Sequence, residues 1–186
     1  SADERALMAR ISEQTKKVLP EVADALKQAN DGDTVAAVLT LMNRVRPAEE
    51  ALRKDAASLI ALQLAQAGAA GIVTCGRNVK KGTAVAAEIH AKTGCNVQFV
   101  QADLAHVADC RKVFEALDTA FGRVDILVNA AGITDRGDIL TTDEALFEKM
   151  FAVNTRAPFF LMQDAIRVMV RQGTPGAIVN IGSAAA

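Results

Sequence analysis

The sequence is poor in aromatic residues: its 186 residues include seven Phe, no Trp and no Tyr. Without Tyr, no phenol within these residues can act as an acid or a base. The three Cys residues are odd in number and fall in predicted core elements, which favours structural thiols over a disulfide or metal framework. The two His residues stand at no metal-ligand spacing to Cys or to acids, so no metal site is expected. These residues are Cys75, Cys95, Cys110, His90 and His106.

Charge and hydropathy exclude further classes of protein. The formal net charge of −1 gives no electrostatic footprint for nucleic acid. No apolar stretch is long enough to cross a bilayer. The first residues, Ser1 to Arg5, are charged and carry no signal-peptide pattern, so a cytoplasmic location is expected. Hydrophobic residues make up 51% of the chain, which is enough for one sizeable core.

The pattern changes near residue 67. Residues 3–66 read as helical throughout, and a helical apolar stripe runs from Val35 to Val45. Within it, Thr34 to Met42 is an uninterrupted apolar run that fits a buried parallel strand as well as a helix. The sequence thus predicts an N-terminal all-helical segment over residues 1–66, packing on the sheet of a second domain over residues 67–186.

Strands and helices alternate from Gly68 onward. Such alternation is typical of a parallel sheet with helical crossovers, so we predict a three-layer, Rossmann-like α/β fold. The predicted helices end at Gly94, at Gly122 and after residue 172. The predicted strands are Gly71–Cys75, Val97–Val100, Val124–Asn129 and Gly176–Ser183, and the predicted helices are Val79–Lys92, Val107–Phe121 and Asp143–Gln172.

Polar residues follow the predicted strands where an open α/β sheet binds its ligands. Arg77, Asp103, Asn129 and Ser183 each lie at or just beyond the carboxyl end of a strand, so we expect them at one edge of the sheet. An Arg after the first strand accommodates a 2′-phosphate, whereas an acid would bind the ribose hydroxyl of NAD. Arg77 therefore favours NADP, the alternative being a solvated arginine at a strand end.

Asn154 lies inside the long predicted helix, where Asn is a poor helix former. Pro158, four residues later, has no N–H to donate to the Asn154 carbonyl, so a kink and a free carbonyl oxygen are expected. The alternative is a tolerated kink packed against the sheet.

Four short motifs resemble the short-chain dehydrogenase/reductase family when they are taken in order. Together they cover about residues 60–183, and their order and spacing are more specific than any one motif. They are the adenine-pocket element with Asp103 and Leu104, the signature Asn129, Ala130, Ala131 and Gly132, the helical Asn154, and the strand that ends at Ser183.

The resemblance implies an oxidoreductase that transfers hydride between NADP and a C–OH or C=O group. It implies that Ser183 polarises the substrate carbonyl and that the carbonyl of Asn154 holds a relay water, both as catalytic residues. It also implies that Arg77, Asp103, Leu104 and residues 129–132 bind the cofactor. The helix over residues 143–172 forms subunit contacts in the family, which implies a homo-oligomer.

Two family features are absent. The family binds pyrophosphate with a glycine-rich loop after its first strand, but no Gly occurs between Gly32 and Gly68. The Tyr-x-x-x-Lys motif, whose Tyr is the proton donor, cannot occur without Tyr. We therefore expect weak or no cofactor binding and no activity from this chain alone. The alternative function is a non-catalytic binding or assembly module, or a chimeric or designed chain, built on a fragment of this family.

The family's first strand is central in its sheet, and the region where it should lie has no clear counterpart. Thr34–Met42 could supply a substitute strand, or the strands beginning at Gly71 and Val124 could pair directly. An unfilled gap is the least favoured arrangement, because strand edges need main-chain partners.

Overall fold

The computed structural model describes residues 57–134 and 139–182, together with isolated positions between residues 6 and 27. The chain forms two compact units, residues 1–67 and 68–186. In the first unit, residues 57–66 are helical and bury Leu59 and Leu62, and the isolated positions are helical too. The prediction for Thr34–Met42 lies outside the described residues. The packing of residues 1–66 on the sheet stays a prediction.

The second unit alternates strands and helices as predicted, which confirms the α/β fold class. Most observed bounds lie within two residues of the predicted ones, and the strand expected from Val124 begins at Ile126. In chain order the elements are β1 (Gly71–Gly76), α1 (Val79–Thr93), β2 (Asn96–Gln101), α2 (Val107–Phe121), β3 (Ile126–Asn129), α3 (Glu144–Phe151), a π-helical turn (Ala152–Arg156), α4 (Ala157–Gln172) and β4 (Ala177–Asn180).

Local capping fixes where the helices begin and end. The Asn78 side chain accepts a hydrogen bond from the Lys81 N–H at 2.9 Å and so begins α1. Gly94 and Gly122 end α1 and α2 with φ values of 72° and 67°, in the left-handed region that favours glycine. Both glycine ends are therefore as predicted.

The described strands form two separate parallel ladders, β1 with β2 and β3 with β4. Each crossover contains at least one helix and brings the chain back to a neighbouring parallel strand. Direct pairing of the strands from Gly71 and Val124, one of the alternatives that the sequence left open, does not occur among the described strands, since no ladder joins β1 to β3. The other alternative, a substitute strand over Thr34–Met42, lies outside the described residues.

One hydrophobic cluster supports both ladders. It combines residues of α2 and α4 with Val100 of β2 and Val124, and Val73 of β1 and Leu127 of β3 pack against it. Its most buried members are Cys110 and Ala165, both at 0% exposure. Burial raises the pKa of the Cys110 thiol. All three cysteines are free; Cys95 and Cys110 are buried, whereas Cys75, which was also expected in the core, is exposed.

An ion pair also links α2 to α4. Arg171 donates to both carboxylate oxygens of Asp118, in one case at 3.1 Å, and to the Gly122 carbonyl at 3.2 Å. The hydrogen bond from Arg171 lowers the pKa of Asp118. Because both side chains are about half exposed, water screens the pair and its contribution to stability is small.

The predicted helix over residues 143–172 is not continuous. One turn of π-helix over Ala152–Arg156 separates α3 from α4, and the Ala157 N–H donates to the carbonyl of Ala152, five residues earlier. Pro158 lies in the first turn of α4, where its missing N–H is tolerated. The interruption expected from Asn154 and Pro158 is therefore a π-helical turn.

Candidate functional site

The carboxyl ends of β1 and β2 lie side by side, because the register pairs Gly76 with Gln101. Arg77 follows β1, is exposed, and forms no ion pair with any described residue. Its neighbour Asn78 is already used as the cap of α1. Arg77 is thus a cation at the sheet edge that is available to a bound anion.

Asp103 lies in the loop that follows β2. The loop is held from both sides, since the Asp103 N–H donates to Asp109 Oδ2 at 2.7 Å and Asp103 Oδ1 accepts from the Ala105 N–H at 3.1 Å. Asp103 Oδ2 has no hydrogen-bond partner among the described residues. Leu104, predicted to contact the cofactor, is 9% exposed and belongs to the hydrophobic cluster. The loop therefore presents one carboxylate oxygen, and its leucine side chain faces the core.

Asn129 ends β3 and pairs in register with Asn180 of β4. Its Nδ2 donates to Asn180 Oδ1 at 2.8 Å, and its Oδ1 is buried without a described partner. The rest of the signature, Ala130, Ala131 and Gly132, continues the chain beyond the strand, with Ala131 exposed. Asn129 thus joins the two strand ends and keeps one unused acceptor at the sheet edge.

Asn154 holds the loop that follows β3. The Ile133 N–H donates to Asn154 Oδ1 at 2.9 Å, and Asn154 Nδ2 donates to the Ile133 carbonyl at 2.8 Å. The π-helical turn thereby carries an amide that fixes both main-chain groups of one loop residue. The neighbouring Arg156 donates from Nη2 to the Ala105 carbonyl at 3.1 Å, which ties the same turn to the Asp103 loop.

The structure brings Arg77 and Asp103 to one pair of strand ends, and it places Asn129 at the same end of the second ladder, with Asn154 bound to the following loop. Ser183 lies outside the described residues. Sequence reasoning missed the contributions of Ile133 and Arg156, since main-chain partners leave no motif.

These residues fit the adenosine end of a nicotinamide dinucleotide. The unpaired guanidinium of Arg77 suits a 2′-phosphate, and the free oxygen of Asp103 can accept from the exocyclic amine of an adenine. Within the described ranges, no cluster of His, Cys, Asp and Glu could hold a metal ion, and no helix has the length and apolar character to span a bilayer.

A profile of the short-chain dehydrogenases matches residues 57–186, which is more than half of the chain. The short-chain dehydrogenase adrF of Penicillium rubens is 45% identical over 92 residues, 48% of this chain and 35% of that protein. The galactitol 2-dehydrogenase of Agrobacterium fabrum is 34% identical over 138 residues, 73% of this chain and 52% of its own length. The chain therefore spans about half or less of the length of these two relatives.

A similar structure has also been solved. A metagenomic short-chain oxidoreductase in complex with NADP is 33% identical and superposes with a TM-score of 0.64, over 69% of this chain and 57% of that one.

Proposed function

Since this chain belongs to the short-chain dehydrogenase/reductase family, an oxidoreductase family, we propose that it carries the NADP-type adenosine site of such an enzyme. The observation that carries the proposal is the pair of unused groups at adjacent strand ends, the Arg77 guanidinium and Asp103 Oδ2. The solved relative in complex with NADP supports this choice of cofactor.

Asn129 and Asn154 position the main chain around the proposed site. NADPH, when bound, supplies a hydride to a carbonyl carbon. Asn154 holds the loop after β3 through Ile133, and Asn129 holds the end of β3 to β4 through Asn180. By likeness to the family, we assign Ser183 to polarise the substrate carbonyl and the Asn154 carbonyl to hold a relay water.

We also propose that these 186 residues alone do not turn over substrate. No Tyr is present to donate a proton, which forfeits general acid catalysis worth about 10²–10⁴-fold. No Gly occurs between Gly32 and Gly68, so this segment lacks the residue type that lets the main chain approach a pyrophosphate closely. Measurable reduction of a ketone by this chain with NADPH would contradict the proposal.

Arg77→Glu should abolish a preference for 2′-phosphorylated adenosine. A charge-assisted hydrogen bond contributes roughly 1.5–3 kcal/mol, so adenosine 2′,5′-bisphosphate should bind about tenfold to a hundredfold more tightly than AMP. Calorimetric titration with both compounds measures the ratio, which should fall to one or below in the variant. These probes do not depend on the pyrophosphate loop.

Lys80→Glu is the matched control. Lys80 is also an exposed cation close to the end of β1, but it lies in the first turn of α1 and is not part of the proposed site. The variant should keep the preference for the 2′-phosphate apart from a small uniform electrostatic loss. Equal affinity of the unsubstituted chain for both nucleotides would refute the assignment of Arg77.

The alternative, a binding or assembly module, is favoured by an exposed apolar stripe. Five large hydrophobic side chains of α3 and α4 are 49–74% exposed, and the rings of the first two lie 4.5 Å apart. An exposed apolar patch of this kind is typical of protein–protein contact surfaces. We propose that it joins two copies of this chain. The stripe consists of Phe147, Phe151, Phe159, Ile166 and Val170.

Replacing both Phe151 and Phe159 by Asp should therefore weaken self-association by tenfold or more, about 1.4 kcal/mol, because two charges would enter the contact. Sedimentation equilibrium measures the dissociation constant. Val79→Asp is the control, since Val79 is 46% exposed on α1 and lies where a helix N-terminus tolerates an acid. A monomeric unsubstituted chain would contradict the dimer.

A cytoplasmic location and a chimeric origin stay predictions.

A further inference from the structure

The loop after β2 is held by a hydrogen bond from a distant part of the chain. Arg156 lies in the π-helical turn between α3 and α4, and its Nη2 donates to the Ala105 carbonyl at 3.1 Å. The other described side chains that bond to residues 102–106 belong to the loop itself or to α2. The guanidinium therefore connects the loop that carries Asp103 to a turn that comes after β3 in the chain.

The peptide group between Ala105 and His106 is bound on both sides. Its carbonyl accepts from Arg156, and its N–H, which belongs to His106, donates to the Asp103 carbonyl at 2.9 Å. The preceding N–H, that of Ala105, donates to Asp103 Oδ1 at 3.1 Å. Because peptide groups are planar and only two dihedral angles separate these two N–H groups, fixing one plane also restricts the Asp103 carboxylate. Arg156 thus acts on Asp103 through one peptide group.

The π-helical turn also contacts the loop after β3. Asn154 and Arg156 are two residues apart, a spacing at which helical side chains do not face each other. Asn154 accordingly bonds to Ile133, whereas Arg156 bonds to Ala105. One turn of helix therefore fixes two loops, each at the carboxyl end of a strand, and one of them carries a residue of the proposed cofactor site.

We propose that Arg156 is a positioning residue for recognition of the adenine base: it fixes the peptide group after Ala105 and so orients Asp103 Oδ2 toward the exocyclic amine. This inference rests on the proposed adenosine site, in which Asp103 selects the base and Arg77 the 2′-phosphate. Arg77 follows β1 and Asp103 follows β2. Loss of Arg156 should therefore reduce selectivity for the base and leave selectivity for the 2′-phosphate unchanged.

Calorimetric titration with two nucleotides measures the selectivity for the base. They are adenosine 2′,5′-bisphosphate and purine riboside 2′,5′-bisphosphate, in which hydrogen replaces the exocyclic amine. The unsubstituted chain should bind the first about tenfold more tightly, since the second lacks a hydrogen bond to a carboxylate. Arg156→Met removes the donor and should lower this ratio to about threefold or less. Arg156→Lys should restore it, because an ammonium group still donates to a carbonyl.

Amide hydrogen exchange measures the positioning in the absence of nucleotide. In Arg156→Met, exchange at His106 should be roughly fivefold faster or more, because its peptide group is no longer fixed. The Asp103 N–H is bound to α2 and should exchange as before. Arg123→Met is the matched control, since Arg123 is an exposed arginine that pairs with Asp125 before β3. It should change neither the ratio nor the exchange at His106.

The outcomes separate this inference from the proposed function. A base ratio that persists in Arg156→Met, or unchanged exchange at His106, would overturn the positioning role and leave the adenosine site intact. Equal losses of affinity for AMP and both bisphosphates would also overturn it, because they would show a general structural role. A chain that prefers the 2′-phosphate but does not distinguish the bases would refute the role of Asp103 and with it that of Arg156. Absence of any preference for the 2′-phosphate would instead refute the proposed function, and the base selectivity that rests on it.

Discussion

Replacing Leu161 by Ala should lower the free energy of unfolding by about 2–5 kcal/mol, the usual cost of a cavity at a buried leucine. Leu161 is 6% exposed and belongs to the cluster that supports both ladders. Val73 of β1 and Leu127 of β3 both pack against this cluster, so a cavity in it should weaken the support of both ladders. Urea unfolding followed by far-ultraviolet circular dichroism measures the loss, since the chain has no Trp to report by fluorescence.

Val170→Ala provides the control on the same helix. Val170 is 74% exposed in the single chain, so its truncation should change stability by less than about 0.5 kcal/mol when unfolding is measured at concentrations below the dissociation constant of the proposed dimer. Similar losses in the two variants would show that the cluster around Leu161 is not the principal packing of the unit.

Asn180→Ala should cost about 1–3 kcal/mol, because it removes the acceptor of the buried Asn129 amide and leaves Nδ2 unsatisfied. Asn129 is 7% exposed and already has one oxygen without a described partner. The double variant Asn129→Leu and Asn180→Val should recover most of this loss, since an apolar pair leaves no unsatisfied group. Urea unfolding of Asn129→Leu, of Asn180→Val and of the double variant gives the coupling energy between the two positions.

Asn96→Ala is the control for a strand asparagine without that contact. Asn96 begins β2, is exposed, and forms no side-chain hydrogen bond with a described residue. Its replacement should be close to neutral. Additive effects at Asn129 and Asn180 would show that the 2.8 Å hydrogen bond between them contributes nothing measurable.

Helix ends and strand positions follow from nearby residues, which is why the sequence predicts them well. Asn78 supplies a capping side chain, and Gly94 and Gly122 adopt a backbone conformation that few other residues tolerate. The alternation of elements then implies a parallel sheet. Which strands are neighbours depends on residues far apart in the chain, and the direct pairing of β1 with β3, one of the alternatives left open, does not occur among the described strands.

The candidate site likewise has residues that local sequence predicts and contacts that it does not. Arg77, Asp103 and Asn129 were predicted because each follows an apolar strand, a feature of local sequence. The partner of Asn154 could not be predicted, since Asn154 binds the main chain of Ile133 and any residue type offers the same groups. Leu104 was assigned to the cofactor from its position in a motif, whereas the structure buries it.

The π-helical turn sets the rotational phase between α3 and α4. In an uninterrupted α-helix, Phe151 and Phe159 would differ by roughly 80° around the axis, whereas one extra residue in a turn brings them to within about 20°. A single residue of surplus backbone in Ala152–Arg156 thus aligns the phenylalanines of both helices along one line. Deleting one residue there would restore a regular α-helix with the two phenylalanines seven positions apart, still about 20° from each other around the axis, so this line of aromatic residues does not depend on keeping the extra residue.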